Sequence, residues 1–172
     1  MLQLNSIANV GVHRTCTPLY EKYEATPYNT FLDPADTTNI YSGMVMYRSG
    51  ADTVANAGTQ VAVSGAKPFG LSALDRNPNI DDVTQVGINA WAVWLGGSNA
   101  FFTLTAPAFD TTQAYNVLTT GARTLLYTNA NGQVTSVSGS ANTLGAVPVA
   151  ELIDVISPTQ ITVRLVPFGA TA

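Results

Sequence analysis

From Gly43 onward apolar and polar positions alternate in short runs separated by turn residues, the period of strands rather than helices. "GMVMYR" (43–48) sets Met44, Met46 and Arg48 against Val45 and Tyr47, and "TQVAVSG" (59–65) and "KPFGLSAL" (67–74) follow as shorter candidates. "RNPN" (76–79) reads as a loop. "NAWAVWL" (89–95) is apolar on both faces, with Ala90, Ala92 and Trp94 on one and Trp91, Val93 and Leu95 on the other. That pattern predicts a central strand, ended by Gly96 and Gly97, with "NAFFTLT" (99–105) as its hairpin partner. "DTTQAYNVLTTG" (110–121) predicts one short helix capped by Asp110, although its threonines are weak helix formers.

Two hairpins follow. In "LLYTNANGQVTSV" (125–137), Leu125 and Tyr127 face one way and Leu126 the other. Asn131-Gly132 suits either a two-residue type I′ turn or a longer loop with Gly132 in a left-handed bulge. The second hairpin runs from "AVPVAELIDVI" (146–156) through "SPTQ", with Pro158 at the second turn position, into "ITVRLVPF" (161–168), where Ile161, Val163 and Leu165 share a face. Pro148 predicts that the first strand of this pair starts at a sheet edge. The fold class is therefore all-β, a small β-barrel or sandwich.

Before Ile40 the pattern changes. Pro18, Pro27 and Pro34 prevent a long helix, and no period-2 apolar alternation marks a core strand. This predicts an extended N-terminal arm over residues 1–41, followed by a β-barrel domain over 42–172. The arm carries Tyr20, Tyr23, Tyr28 and Phe31 among Glu21, Glu24, Asp33 and Asp36. It either packs on its own domain or docks its rings into neighbouring subunits, since large rings bury much area at low entropy cost. On the second reading those four aromatics are the contact residues, and deleting everything before Ile40 leaves a folded barrel.

Composition sharpens the picture in one respect. Only 10% of the 172 residues are charged, where a soluble domain carries about 25%. An exterior so poor in charge suits lasting contact with other protein better than free solution. The net charge of −4 includes seven scattered basic residues, no cluster of the kind that phosphate-backbone binding needs, so no direct nucleic-acid partner is expected. The longest apolar run, "AWAVWL", falls far short of the roughly 20 residues that span a bilayer, so no membrane partner is expected either. The N-terminal stretch lacks the basic start and apolar core of a cleaved signal peptide. A lone Cys16 cannot form an internal disulfide, consistent with synthesis in a reducing cytoplasm, and there is no N-x-S/T sequon.

Candidate chemistry is sparse. His13 and Cys16 in "HRTC" lack the further ligands of a zinc site and the positioning group of a nucleophilic thiol. Asp75, Asp81 and Asp82, with Asp33 and Asp36, lack the regular spacing and ligand number of a calcium loop. The G-x-S-x-G, phosphate-loop and dinucleotide patterns are absent. Trp91 and Trp94 lie an odd number of residues apart, so they face opposite sides of a strand and cannot form one sugar-stacking platform. No enzyme activity, cofactor or metal is expected.

"KPFGLSAL", then "GARTLLYTNANGQVTSV", "LGAVPVAELIDV" and the terminal "ITVRLVP" resemble the small β-barrel decoration proteins of tailed-bacteriophage heads, loosely over Gly43 to Phe168. "LGAVPVAELI" departs from that family's simpler "IGVALE" form by an insertion containing Pro148. The resemblance implies a structural virion protein, made in the host cytoplasm, that binds the outside of the expanded capsid at junctions between major capsid proteins. There it would hold the head against the pressure of packaged DNA. It also implies contact with neighbouring copies, as a trimer in preference to a dimer, and many weak repeated contacts then add through multivalency. The alternatives are a receptor- or glycan-binding module of a head or tail fibre, or another minor virion component such as a tail-tube protein.

Overall fold

The computed structural model describes residues 16–18, 28–59, 68–76, 90–96, 100–117, 123–139 and 147–166. Those residues form two β-sheets. Strands β2 (Tyr28–Leu32), β3 (Val45–Arg48), β4 (Thr53–Asn56), β5 (Pro68–Ser72) and β6 (Ala90–Trp94) close into a barrel in the order β2-β4-β3-β5-β6. Strands β1 (Cys16–Pro18), β7 (Phe101–Thr105), β8 (Leu125–Thr128), β9 (Val134–Thr135), β10 (Ala150–Ser157) and β11 (Gln160–Leu165) form an open sheet, β1-β7-β11-β10-β8-β9. Every pairing is antiparallel except β2 with β4. Because β1 pairs with β7, Cys16 opposite Leu104, the barrel strands form a continuous insert between two neighbours of the open sheet.

The all-β class expected from the alternation is what the protein adopts, and the local reasons are visible in each strand. In β7 the buried positions Phe102 and Leu104 alternate with half-buried neighbours. In β11, Ile161, Val163 and Leu165 all face the core. The β6 strand is apolar on both sides because it serves two cores. Trp91 and Val93 point into the barrel with Leu32, Ile40, Met44, Met46 and Val54. Trp94 points the other way and meets Phe102 at 5.6 Å between ring centroids. Trp91 Nε1 donates to Ser72 Oγ at 3.1 Å, which satisfies the one polar atom of a buried ring.

A larger core runs under the open sheet and takes Val45, Ala57 and Leu71 from the barrel side, so the two sheets share apolar packing. Backbone bonds cross the same seam, with Val45 N donating to the Gly132 carbonyl at 2.8 Å. Gly43, at φ +94°, sits where a Cβ would come within 2.9 Å of both Ala108 and Leu104, so the backbone conformation and the space both demand glycine.

Both hairpins form. Tyr127 pairs with Thr135 across a connection in which Gly132 takes φ +79°, which selects the longer loop over the two-residue turn. Pro158 and Thr159 turn β10 into β11.

Several expectations differ from the structure. "NAFFTLT" does not pair with β6: β7 lies between β1 and β11, and β6 pairs instead with β2 and β5. Gly96 follows β6, and the next described strand, β7, belongs to the other sheet. No helix forms over 110–117; Asp110 caps a turn, accepting the Thr112 N–H at 3.0 Å, and Tyr115 ties the segment down by donating to the Asp110 carbonyl at 2.9 Å. The start of β10 after Pro148 is interior, with Ala150 between Leu165 and Leu126, and the strand becomes an edge only farther along, where β8 has ended.

The segment expected as an extended arm, packed on its own domain or docked on neighbours, contributes β1 and β2. Within β2 the inward residues are Thr30 and Leu32, and Phe31 points out. A threonine inside, its hydroxyl donating to the Asp52 carbonyl at 2.7 Å, and a phenylalanine outside conceal the strand period from hydropathy. Deletion before Ile40 therefore removes a barrel strand. "TQVAVSG" from residue 60, "RNPN" from residue 77, and residues 1–15 and 19–27 of the expected arm lie outside the described residues.

Candidate functional site

Of the four expected contact aromatics, Tyr28 and Phe31 are described; Tyr20 and Tyr23 are not. Both described rings belong to β2, whose antiparallel pairing with β6 and parallel pairing with β4 fix their direction. Phe31 lies on the outer wall of the barrel, opposite Ala90 on one side and Thr53 on the other, and is 50% exposed. Small neighbours leave its ring uncovered. Its backbone N donates to the Asp52 carbonyl at 3.0 Å, so the exposed ring hangs from a fixed strand.

Tyr28 is at one end of the barrel, edge-on to Phe69 with ring centroids 5.6 Å apart and planes at 83°. The Arg48 guanidinium lies over the same Phe69 ring, 5.3 Å from its centroid, and donates to the Ala51 carbonyl at 2.9 Å. The result is a cation held on an aromatic pair at the barrel rim, a surface able to take apolar groups and a carboxylate from another protein. Hydropathy singled out the tyrosine but not Phe69 or Arg48, because β2, β3 and β5 bring them together from distant parts of the sequence.

A second exposed apolar group was hidden in "AELIDVIS". Ile153, Val155 and Ile156 of β10 are exposed, Ile156 by 52%. Its register with β11 slips between Leu152 and Asp154 and again between Val155 and Ser157, so Ile153 and Ile156 are bulge residues. Bulges bend an edge strand and disrupt the ladder that a foreign strand would need. The adjacent apolar pairs Leu152-Ile153 and Val155-Ile156 were the only sequence signal of the irregularity.

The polar groups behave as structure. Asp36 is buried and accepts from Asn56 N at 2.6 Å, Thr38 N at 2.9 Å and Thr38 Oγ1 at 2.7 Å. Buried Arg76 donates to the Asp36 carbonyl, which ties the segment after β2 to the residues following β5. Glu151 holds Arg164 and, at 3.9 Å, Arg123 across the β8–β10–β11 surface. Burial pushes the Asp75 carboxyl above the usual range, against the lowering effect of hydrogen bonds from Ser42. At Asp110 burial also pushes upward, but the Thr112 hydroxyl and N–H, with Asn129 and Gln113, outweigh it and hold the carboxyl low.

Cys16 is fully buried; burial first and the Asp75 charge second push its thiol up, which removes the thiolate that a nucleophile requires. His13, Asp81 and Asp82 lie outside the described residues. Among the described residues no three His, Cys, Asp or Glu side chains gather into a possible metal site, and no helix is long and apolar enough to cross a membrane.

The family described as phage cement protein matches residues 2–172, which takes in the barrel and the open sheet together. No curated protein matches the sequence.

Proposed function

The chain belongs to the phage cement protein family, and on that premise we propose that it binds the outer surface of the expanded phage capsid at junctions between major capsid proteins. In that position it stabilises the head against internal DNA pressure. A structural role in the virion follows from the family; the junction and the outer face are our reading. The observation that carries it is the pair of half-exposed rings, Tyr28 and Phe31, on a closed barrel. A stiff wall presents those rings in a fixed place, so little conformational entropy is lost when they are buried against a shell.

The partners on this reading are the major capsid protein and neighbouring copies of the chain, as a trimer in preference to a dimer. The protein acts without catalysis. Each copy contributes modest contacts, and a lattice of copies multiplies them.

Emptied, expanded shells provide the test. Purified protein should co-sediment with them and raise the temperature at which they break. Phe31→Ser, which changes an exposed ring and no core contact, should fold normally and weaken shell binding by about tenfold, the equivalent of about 1.4 kcal/mol. Failure of the unaltered protein to co-sediment with expanded shells overturns the proposal.

A further inference from the structure

A cleft opens on the seam between barrel and sheet, away from the Tyr28 and Phe31 rings. It encloses ≈ 390 Å³, within the roughly 300–1,000 Å³ of small-molecule sites. Asn39 and Tyr41 line it from the loop joining β2 to β3, Asn131 and Gln133 line it from the β8–β9 connection, and Met44 and Pro107 add apolar surface. None of its lining residues is charged.

Some of the lining amides are already committed. Gln133 donates from Nε2 to the Pro107 carbonyl at 3.0 Å and accepts from Asn129 at 2.9 Å. Asn56 gives its side-chain donor to the Asn131 carbonyl at 3.2 Å and its acceptor to Gly58 N at 2.8 Å. These bonds hold the two sides of the cleft in register. The side-chain amides of Asn39 and Asn131 and the Tyr41 hydroxyl carry no hydrogen bond among the described residues, and all three side chains are exposed.

The chemistry of the lining selects the ligand. A phosphate or nucleotide needs a cation or a helix N-terminus, and neither lines the cleft. A zinc site is built from thiolate, imidazole and carboxylate, and a calcium site takes carboxylates among its oxygens; the lining offers none of these charged or imidazole ligands. A lipid chain would leave the amides unpaired. An aromatic ring flanked by uncommitted amides, each able to donate and accept, matches a sugar: the C–H face of a pyranose packs on the ring and its hydroxyls pair with the amides. We propose that this cleft binds a neutral saccharide, with one pyranose ring on Tyr41 and its hydroxyls on Asn39 and Asn131. The two tryptophans are excluded from that role, since Trp91 and Trp94 are both packed in cores.

The cleft lining includes neither Tyr28 nor Phe31, and the proposal is tested on the free protein. Isotope-labelled full-length chain is titrated with glucose, galactose, N-acetylglucosamine and their short oligomers, and the side-chain amide resonances are followed. At least one of these sugars should give saturable shifts at Asn39 and Asn131. Tyr41→Ala should weaken binding by about tenfold, and Tyr41→Phe, which keeps the ring, by no more than about threefold. Asn39→Ala, at an exposed position, gives a second variant should Tyr41→Ala not fold. The absence of saturable shifts with every sugar, shifts confined to other residues, or undiminished binding by folded Tyr41→Ala and Asn39→Ala would each overturn the proposal.

Discussion

The barrel and the open sheet rest on shared packing but meet solvent differently. Among the described residues each barrel strand has a neighbour on both sides, and the barrel offers exposed side chains: Phe31, Tyr28 and the Arg48–Phe69 stack. In the open sheet the far half of β10 lies at an edge, where its exposed groups are aliphatic and its two bulges obstruct strand addition. The barrel closes on itself, whereas the open sheet ends in β1 and β9 and carries along β10 an exposed aliphatic stretch broken by two bulges. At β10 the two bulges leave the exposed apolar stretch without a regular ladder for uncontrolled β-pairing.

The comparison breaks most severely if the barrel is opened. Deleting residues 1–39 removes β1 and β2, leaves β4 and β6 without a shared neighbour, and uncovers Val54, Trp91 and Val93. A domain of this size is stable by only about 5–15 kcal/mol, and loss of closure should exceed that. The truncated chain should lose its near-ultraviolet circular dichroism and its cooperative denaturant transition. A cooperative fold in the truncated chain would show that β2 is dispensable to the barrel.

A smaller loss is expected where a single buried carboxylate holds the barrel end. Asp36→Ala strands the Asn56 N–H in a buried site and releases both Thr38 groups. Unfolding in urea should show destabilisation of about 2–3 kcal/mol, with Asp36→Asn, which keeps an acceptor, losing less. Equal stability in all three proteins would mean that the network is ornamental.

What was legible in the sequence follows from the range of the interactions. The hairpins at Asn131-Gly132 and Ser157-Pro158 were readable because a turn is specified by adjacent residues. The opposite facing of Trp91 and Trp94 was readable because strand geometry is local. Partner choice was not: Gly96-Gly97 marks a break in β6 equally well whether the next strand folds back or crosses to another sheet. The strand β2 was concealed by its inverted pattern, with Thr30 inside and Phe31 outside. For the contact surface, Tyr28 and Phe31 stood out as rings among acids, whereas Arg48 and Phe69 required the barrel to be brought together. Nothing local marks Ile153, Val155 and Ile156 as exposed, because β-branched apolar residues are usually buried.

The finest difference between the two regions is electrostatic, and it has opposite signs. Beside the barrel, the Asp75 carboxyl is raised by burial, so the folded protein holds that proton more tightly than the unfolded chain. Its contribution to stability is fully present below the unfolded value and is lost as pH rises through the raised folded value. In the sheet region, Asp110 is held low by its hydrogen bonds, so its contribution is present above the unfolded value and is lost as pH falls through the lowered folded value. Acidification from neutrality should first raise the melting temperature as Asp75 protonates, then lower it below about pH 4 as Asp110 does. Asp75→Asn, whose amide oxygen can still accept the Ser42 N–H, should flatten the upper limb alone; Asp110→Asn should flatten the lower limb alone. Melting curves across this range separate the two residues, and a limb unchanged by its own variant would assign that pH dependence to other groups.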